Sequence, residues 1–312
     1  MISLFENNRK SEVIHVYLLG DGISEENRQT LANIASKYQR SFTLINVPDL
    51  NIPDKLSSSR WPKSAFTRMF AGELMPLAIT KAIYLDCDTI ISGNIQGMEA
   101  CIESDMPFSG VKDCVSRPYK AKIGIGKDGS YINAGVLAMN LTELRKLDIR
   151  GMMRDFLGKY ETAVSYADQD ILNGIFKGKF GILPPQYDLM TMVNTYTYKE
   201  LRQIRHPHNY YNEEEIKCSK TNPLIIHFTT AMLNIRPWCE GSKHSYAWMF
   251  EKYQAMSPWA DRPKAKANFS AKEYKIIKQI LRLPKPVAYR VLGLVHAYLR
   301  PYYIILKSSL RK

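Results

Sequence analysis

Short apolar runs, bounded by turn residues and alternating with stretches of helical spacing, set the rhythm of this chain. Residues 12–19 (EVIHVYLL) predict a strand, Asp21-Gly22 a turn, and Ser24-Glu25-Glu26 the cap of a helix reaching about Tyr38. Residues 41–47 predict a second strand, and 48–62, rich in Pro, Asp and Ser, a loop. Helical spacing returns over 64–74, with Arg68 inside it and Pro76 beyond its end. Residues 82–85 then form an apolar run that leads directly into Asp86-Cys87-Asp88. Residues 106–111 predict the next strand, with Asp113 just past it, and 124–129 a connection. Tyr131-Ile132-Asn133-Ala134-Gly135 enters the apolar strand 136–139, where a glycine marks close backbone approach or a bulge. Short helices are predicted over 142–147 and 151–160, and another begins at Tyr166-Ala167-Asp168-Gln169-Asp170. Residues 184–221 read as an irregular excursion lining a site, 223–228 as a strand, and 243–256 as a helix. Strands alternating with helices predict an α/β sheet with parallel stretches.

Strand side chains alternate, so Asp86 and Asp88 leave the strand end on one side and Cys87 faces away. Two carboxylates there suit a divalent cation holding phosphate oxygens; the plainer alternative is a solvated acid pair near a turn. Asn133 fits either turn chemistry or a ligand contact. Asp168 and Asp170 at a helix start complement the helix dipole, and His227, near a strand end, reads locally as structural.

Composition narrows the field. The chain has 312 residues, 45% hydrophobic, enough for one large domain or a domain with an appendage. Five cysteines without a CxxC pair argue for a reducing compartment and against a disulfide framework or zinc site. The first twelve residues hold no apolar h-region, so nothing there suggests secretion. Of the net charge of +13, residues 261–312 carry +11, with thirteen Lys/Arg against two Asp/Glu. A basic tail on a near-neutral body points to an anionic surface. The body lacks the aromatic stacking motifs of a nucleic-acid binder, and no nucleic-acid partner is expected.

Four blocks in order now carry a resemblance: Gly22-Ile23-Ser24-Glu25-Glu26-Asn27-Arg28, Tyr84-Leu85-Asp86-Cys87-Asp88, Tyr131-Ile132-Asn133-Ala134-Gly135-Val136, and Asp168-Gln169-Asp170-Ile171-Leu172-Asn173. A fifth, His227 through Arg236-Pro237-Trp238, matches with changes. Over roughly residues 1–250 the chain resembles glycosyltransferase family 8, the retaining group that includes bacterial lipopolysaccharide galactosyl- and glucosyltransferases. The resemblance implies a GT-A fold: a Rossmann-like, mixed but mostly parallel sheet flanked by helices. It implies that Asp86, Asp88 and His227 bind Mn²⁺ (or Mg²⁺), which holds the diphosphate of a UDP-sugar. Carboxylate oxygens with one imidazole suit that ion. It places Arg68, Cys87, Asn133, Ala134, Asp168 and Gln169 around the donor, Asp168 and Gln169 as the catalytic pair, and Arg236 where a Lys usually contacts the diphosphate. Asp113 and Tyr166 match positions on the acceptor side. A neutral amide is a poor nucleophile, which favours same-face attack with Gln169 stabilising an oxocarbenium-like centre.

Two departures stand out. The spacing from His227 to Arg236-Pro237-Trp238 is about three residues longer than the family's usual spacing. The family also begins with a strand and an Asp/Asn-rich nucleotide-binding loop, whereas this chain begins inside the helix that follows them. The expectation is therefore that Met1 is not the natural start. The resulting reading is a catalytic domain over 1–258 that moves galactose or glucose from a UDP-hexose to a saccharide or glycolipid acceptor in surface-glycan synthesis. Residues 259–312 form a basic helical region associating with the inner face of the plasma membrane, the protein being cytoplasmic and peripheral. The tail's apolar run, 287–299, is interrupted by Arg290 and followed by Arg300-Pro301, short of the ~20 residues that cross a bilayer. The alternatives are a non-catalytic or inactive nucleotide-sugar-binding fragment with a membrane-binding tail, and a tail helix packed on the body.

Overall fold

The computed structural model describes residues 1–56, 62–177, 180–267 and 271–309. The end of the 48–62 loop and the side chain of Lys272 therefore lie outside the described residues. Nine strands are described: β1 (His15–Gly20), β2 (Ser41–Asn46), β3 (Lys81–Leu85), β4 (Thr89–Ile91), β5 (Phe108–Lys112), β6 (Ile132–Asn140), β7 (Gly181–Ile182), β8 (Leu189–Met190) and β9 (Ile225–His227). The helices before the sixth strand are α1 (Ile2–Asn7), α2 (Glu25–Lys37), α3 (Ala71–Leu74), which continues a 3₁₀ segment Lys63–Phe70, and α4 (Arg117–Ala121). After it come α5 (Leu141–Leu144), α6 (Ile149–Tyr160), α7 (Ala167–Phe176), α8 (Thr191–Thr195), α9 (Tyr198–Arg205), α10 (Glu213–Thr221) and α11 (Ala247–Ala255). The tail holds α12 (Ala271–Ile280), α13 (Lys285–Gly293) and α14 (Arg300–Ser309), the last two joined by a π-helical segment Leu294–Leu299.

The strands form three sets: β1-β2, β3-β6-β5-β7 and β4-β9-β8. The architecture is mixed α/β, and its described pairings divide evenly: β1/β2, β5/β7 and β8/β9 are parallel, β3/β6, β5/β6 and β4/β9 antiparallel. Among the described residues, β1 pairs with β2 alone and β3 with β6 alone.

Strand β6 is buried along its whole length because both its faces are covered. Leu137 and Met139 point into one core, with Phe66, Met69 and Phe70 of the 3₁₀ segment and Ile171 and Leu172 of α7. Val136 and Ala138 point into the other, with Leu189, Ile225, and Leu201 and Ile204 of α9. Residues 82–85 obey the same alternation: Ala82 and Tyr84 pack on the first core, Ile83 and Leu85 on the second.

The predicted strands and the helices at 24–38, 64–74, 151–160 and 166–173 appear within a few residues of their expected bounds. The excursion 184–221 needs correction, since most of it is helical. Two capping boxes, Thr197 with Glu200 and Asn212 with Glu215, start α9 and α10. Proline, tyrosine and asparagine suggested loop, but most of those residues sit between the α-helices, with Asn194 inside α8 and Tyr198 at the start of α9.

The tail is fastened to the body. Ala288, Tyr289 and Leu292 of α13 join the second core, and Lys285 pairs with Glu200 at 2.6 Å. Ser116 donates to the Ala297 carbonyl at 2.7 Å, and Gly293 lies so close to the Gln203 carbonyl that a Cβ there would collide.

A wholly buried ion pair anchors the start of α7. Lys122 Nζ lies 2.7 Å from Asp170 Oδ2, with both side chains fully inaccessible, and also donates to the Ala163 carbonyl at 2.7 Å. Removing one partner strands the other charge in the core. Asp170→Ala is therefore expected to lower the unfolding free energy by about 3–5 kcal/mol. Denaturant titration checks this, and a loss below about 1 kcal/mol would contradict it.

Candidate active site

Strand pairing brings together residues that are far apart in sequence. Thr89 of β4 pairs with His227 of β9, so Asp88 lies beside the imidazole. On the other edge of β9, Met190 pairs with His227, which brings Asp188 to it as well. Strand β3 ends where Leu85 pairs with Val136, and Asp86 N–H donates to the Gly135 carbonyl at 2.7 Å. One ligand atom from each of Asp86, Asp88 and His227 lies within 4.8 Å of the others. His227 Nε2 is 3.1 Å from Asp88 Oδ1 and 3.9 Å from Asp86 Oδ2.

Gly135 makes this convergence possible. A Cβ there would strike His227 Cε1 and come within 2.8 Å of Asp86 Oδ2. Asn133 Oδ1 accepts from Gly135 N–H at 2.8 Å and so shapes the same turn of backbone. Cys87 is exposed, and Asp86-Cys87-Asp88 lies in the tight turn between β3 and β4, so the two acids converge through that turn and not through strand alternation.

Arg68 ties the Asp86–Asp88–His227 cluster to α7. Its Nη2 lies 2.8 Å from Asp86 Oδ1 and its Nε 3.0 Å from Asp168 Oδ2; Nη1 also donates to the Ala134 carbonyl. Tyr84 donates its hydroxyl to Asp86 Oδ1 at 2.8 Å. Burial works against the Arg68 charge, but Asp168, Tyr84 and Asp86 outweigh it and hold the guanidinium protonated. Arg68 is shared between two carboxylates. Burial pushes Asp168 up to about 6, against the pull of Arg68 and helped by Asp86.

Gln169, between buried Asp168 and Asp170, keeps partial exposure. Its Nε2 donates to Asp113 Oδ2 at 2.9 Å, and its Oε1 accepts from Ala134 N–H at 3.2 Å. Tyr166 precedes α7 as its N-cap, with its N–H donating to Asp170 Oδ2 at 3.0 Å. Arg236 reaches the cluster despite the longer spacing before it, with Nη2 2.9 Å from Asp88 Oδ2. Its Nε is buried and has no partner among the described residues. Arg68, Asp86, Asp88, Ala134, Asp168, Gln169, Asp113, His227 and Arg236 thus form one linked set, with Asn133 beside it through Gly135.

Three further groups belong to the site: Asp188, which no sequence pattern announced, and Tyr84 and Tyr131, which open two of the matching blocks but were given no role there. Asp188 Oδ1 lies 2.9 Å from His227 Nδ1. A carboxylate there fixes the ring and turns Nε2 toward Asp86 and Asp88, the arrangement that orients a metal-binding histidine. Tyr84 and Tyr131 point their hydroxyls at site carboxylates, Asp86 and Asp170. Asp188 follows Pro184-Pro185 in a stretch without hydrophobic periodicity, so only the pairing of β8 with β9 reveals it.

The donor set fits a divalent cation: two carboxylates, one oriented imidazole and a nearby unpartnered Arg236 Nε suited to an anionic ligand. In the bare protein the proton of this cluster sits on His227. Burial opposes the imidazolium, but Asp188 and Asp88 outweigh it and hold His227 well above its usual range.

Comparison with known proteins agrees with this geometry. The family model described as "Glycosyl transferase family 8" matches residues 1–241. A lipopolysaccharide 1,2-glucosyltransferase of Escherichia coli is 26% identical over 270 residues, covering 85% of this chain and 76% of that protein. A putative glycosyltransferase of Haemophilus influenzae is 28% identical, covering 71% of this chain and 70% of that protein. The solved galactosyltransferase LgtC, in complex with donor and acceptor sugar analogs, matches with a TM-score of 0.67 at 24% identity, covering 82% of this chain and 89% of that one. That likeness establishes the fold as GT-A.

Two outcomes follow for metal binding. His227 must lose its proton before Nε2 can act as a ligand, so Mn²⁺ uptake should release protons and weaken as pH falls. Asp188→Ala should lower Mn²⁺ affinity about ten-fold or more. Calorimetry in buffers of different ionisation enthalpy measures both. Uptake without proton release, or unchanged affinity in the variant, would contradict the arrangement.

Proposed function

We propose that this chain, which belongs to glycosyl transferase family 8, transfers a hexose, galactose or glucose, from a UDP-sugar to a saccharide acceptor with retention of anomeric configuration. The observation that carries the reading is the convergence of Asp86, Asp88 and His227 beside Gln169. The lipopolysaccharide glucosyltransferase relative supports a surface-glycan acceptor. LgtC, with its donor and acceptor analogs, supports a sugar donor and a sugar acceptor on this fold.

Asp86, Asp88 and His227 would hold the cation, Mn²⁺ or Mg²⁺. When bound, it supplies Lewis-acid stabilisation for the charge on the departing diphosphate. Arg236 adds a guanidinium beside it, and its unpartnered Nε is available to a phosphate oxygen. Arg68 pairs with both Asp86 and Asp168 and orients them. Gln169 turns its carbonyl dipole toward the anomeric carbon, while Asp113 and Tyr166 face the acceptor side. The acceptor hydroxyl attacks the anomeric carbon from the face that UDP leaves. The C1–O bond breaks with its electron pair going to the diphosphate, and the hydroxyl proton passes to a phosphate oxygen of the departing UDP.

The tail adds an anionic membrane surface as a partner. Among the described residues no helix is long and apolar enough to cross a membrane. Leu299, Tyr302, Tyr303 and Leu306 are exposed at the spacing of one helix face, while Ala297 on the same helix is buried. Arg282, Arg290, Arg300 and Lys307 are exposed alongside. An apolar stripe flanked by cations fits the interface of an anionic bilayer, which supports the reading of a peripheral protein on the cytoplasmic leaflet.

Incubation with Mn²⁺ and a panel of UDP-hexoses should release UDP, and Asp88→Ala or excess EDTA should abolish release while the protein stays folded. Full activity in Asp88→Ala would refute the metal site, and tight UDP-sugar binding with no release would make the chain a binding protein. Separately, Leu299→Asp with Leu306→Asp should abolish salt-sensitive binding to phosphatidylserine-containing vesicles and leave UDP release unchanged. Vesicle binding that survives both substitutions would exclude this face.

A further inference from the structure

The side-chain amide of Gln169 can satisfy its neighbours in only one of its two orientations, which Asp113 and Ala134 select and Tyr131 reinforces as a second acceptor for the NH₂ group. Tyr131 is 2% exposed, edge-on to Tyr119 with ring centroids 5.8 Å apart. Its hydroxyl lies 2.7 Å from Asp170 Oδ1 and 3.2 Å from Gln169 Nε2. A phenol has a single proton to give, so its direction depends on which neighbour can only accept.

Asp170 can only accept. It takes hydrogens from Lys122 Nζ at 2.7 Å, Ser165 N–H at 2.6 Å, Tyr166 N–H at 3.0 Å and the Tyr119 hydroxyl at 3.0 Å. Five donors on one buried carboxyl group, one of them an ammonium, demand the ionised form. The Tyr131 proton is therefore committed to Asp170, and the face of its oxygen toward Gln169 is an acceptor. Gln169 must meet it with the NH₂ side. Asp113 Oδ2, also an acceptor, lies 2.9 Å from the same nitrogen. Ala134 N–H faces the other end at 3.2 Å and requires the carbonyl there. The reversed amide would set oxygen against oxygen at two contacts and N–H against N–H at the third.

The backbone under this relay is pinned as well. Asn173, one turn along α7, accepts from Ile132 N–H and donates to the Ile132 carbonyl, both at 2.8 Å, and donates to the Gln169 carbonyl at 2.9 Å. Tyr131 and Gln169 thus cannot drift apart along the strand–helix contact.

We propose that Tyr131 is a positioning residue: with its proton held by Asp170, it locks the Gln169 amide so that the carbonyl oxygen keeps one lone pair on Ala134 N–H and presents the other to the donor sugar. This rests on the reading of Gln169 as the group beneath the transferred hexose. Preorganisation of this kind matters because a dipole already aimed at the developing positive centre need not reorient during the reaction. Tyr131→Phe removes only the hydroxyl and leaves Asp170 four donors, so the variant should fold.

The test is a double-mutant cycle with two readouts, UDP release from UDP-hexose and the NMR signals of the Gln169 side-chain NH₂, assigned by their loss in Gln169→Ala. Tyr131→Phe should lower kcat about ten-fold with the donor KM within about two-fold. In the Gln169→Ala background it should change kcat no further, whereas a merely structural role would lower both. The Gln169 NH₂ protons should shift and exchange faster with solvent in Tyr131→Phe. An unchanged kcat, or a raised KM alone, overturns the proposal. So does an equal loss in both backgrounds. If the wild-type protein releases no UDP from any UDP-hexose, the functional reading fails, and the NH₂ signals still decide: a shift in Tyr131→Phe supports the lock, and unchanged signals refute it.

Discussion

A single buried guanidinium holds this site together. Arg68 reaches Asp86 at the end of β3, Asp168 in the first turn of α7 and the Ala134 carbonyl on β6, while itself rooted in the 3₁₀ segment before α3. A planar fork with five donors can serve three acceptors in three directions, which an ammonium on a flexible stem cannot do with the same definition. Its charge also sets the local electrostatics. Two carboxylates share it, and burial, helped by the Asp86 charge, pushes Asp168 up to about 6 against the pull of Arg68.

Close approach is the second constraint. The β9 imidazole and the β3 carboxylate meet over Gly135, where no side chain is tolerated. The same β6 residues that create this space continue as a strand buried on both faces, so the site rests on the core of the molecule. A second carboxylate, Asp188, fixes the ring of His227 from behind. The arrangement combines a rigid floor, an oriented imidazole and cations arrayed around a small anionic cluster. It suits a reaction whose difficulty lies in stabilising a departing diphosphate.

The tail shows how one helix can serve two environments. Its inner face shares the second core with α9 through Ala288, Tyr289 and Leu292, and its outer face leaves Leu299, Tyr302, Tyr303 and Leu306 exposed. Of the two expectations for the tail, packing on the body is the one the structure shows, and the outer stripe is the surface proposed to meet a membrane. Packing against α9 also orients the outer stripe with respect to the rest of the fold.

The sequence by itself determined the alternation of strands and helices, the place of Asp86 and Asp88 just past a strand end, and a glycine at 135 as the mark of close backbone approach. These follow from periods of two and 3.6 residues and from the absence of a Cβ, which are local properties. The family resemblance added His227, Gln169 and Arg236, which no local pattern singled out. The tertiary structure alone decided the rest. Asp188 lies in a stretch with no periodic signal and becomes part of the site only through the parallel pairing of β8 with β9. Lys122 and Asp170 are 48 residues apart and meet in the core. The excursion 184–221 read as irregular because its prolines, tyrosines and asparagines are turn formers; two capping boxes and burial against the second core make most of it helical. The orientation of the Gln169 amide depends on a chain of donors and acceptors drawn from five segments. Hydrogen-bond polarity of that kind is a property of neighbours in space, and nothing along the chain encodes it one residue at a time.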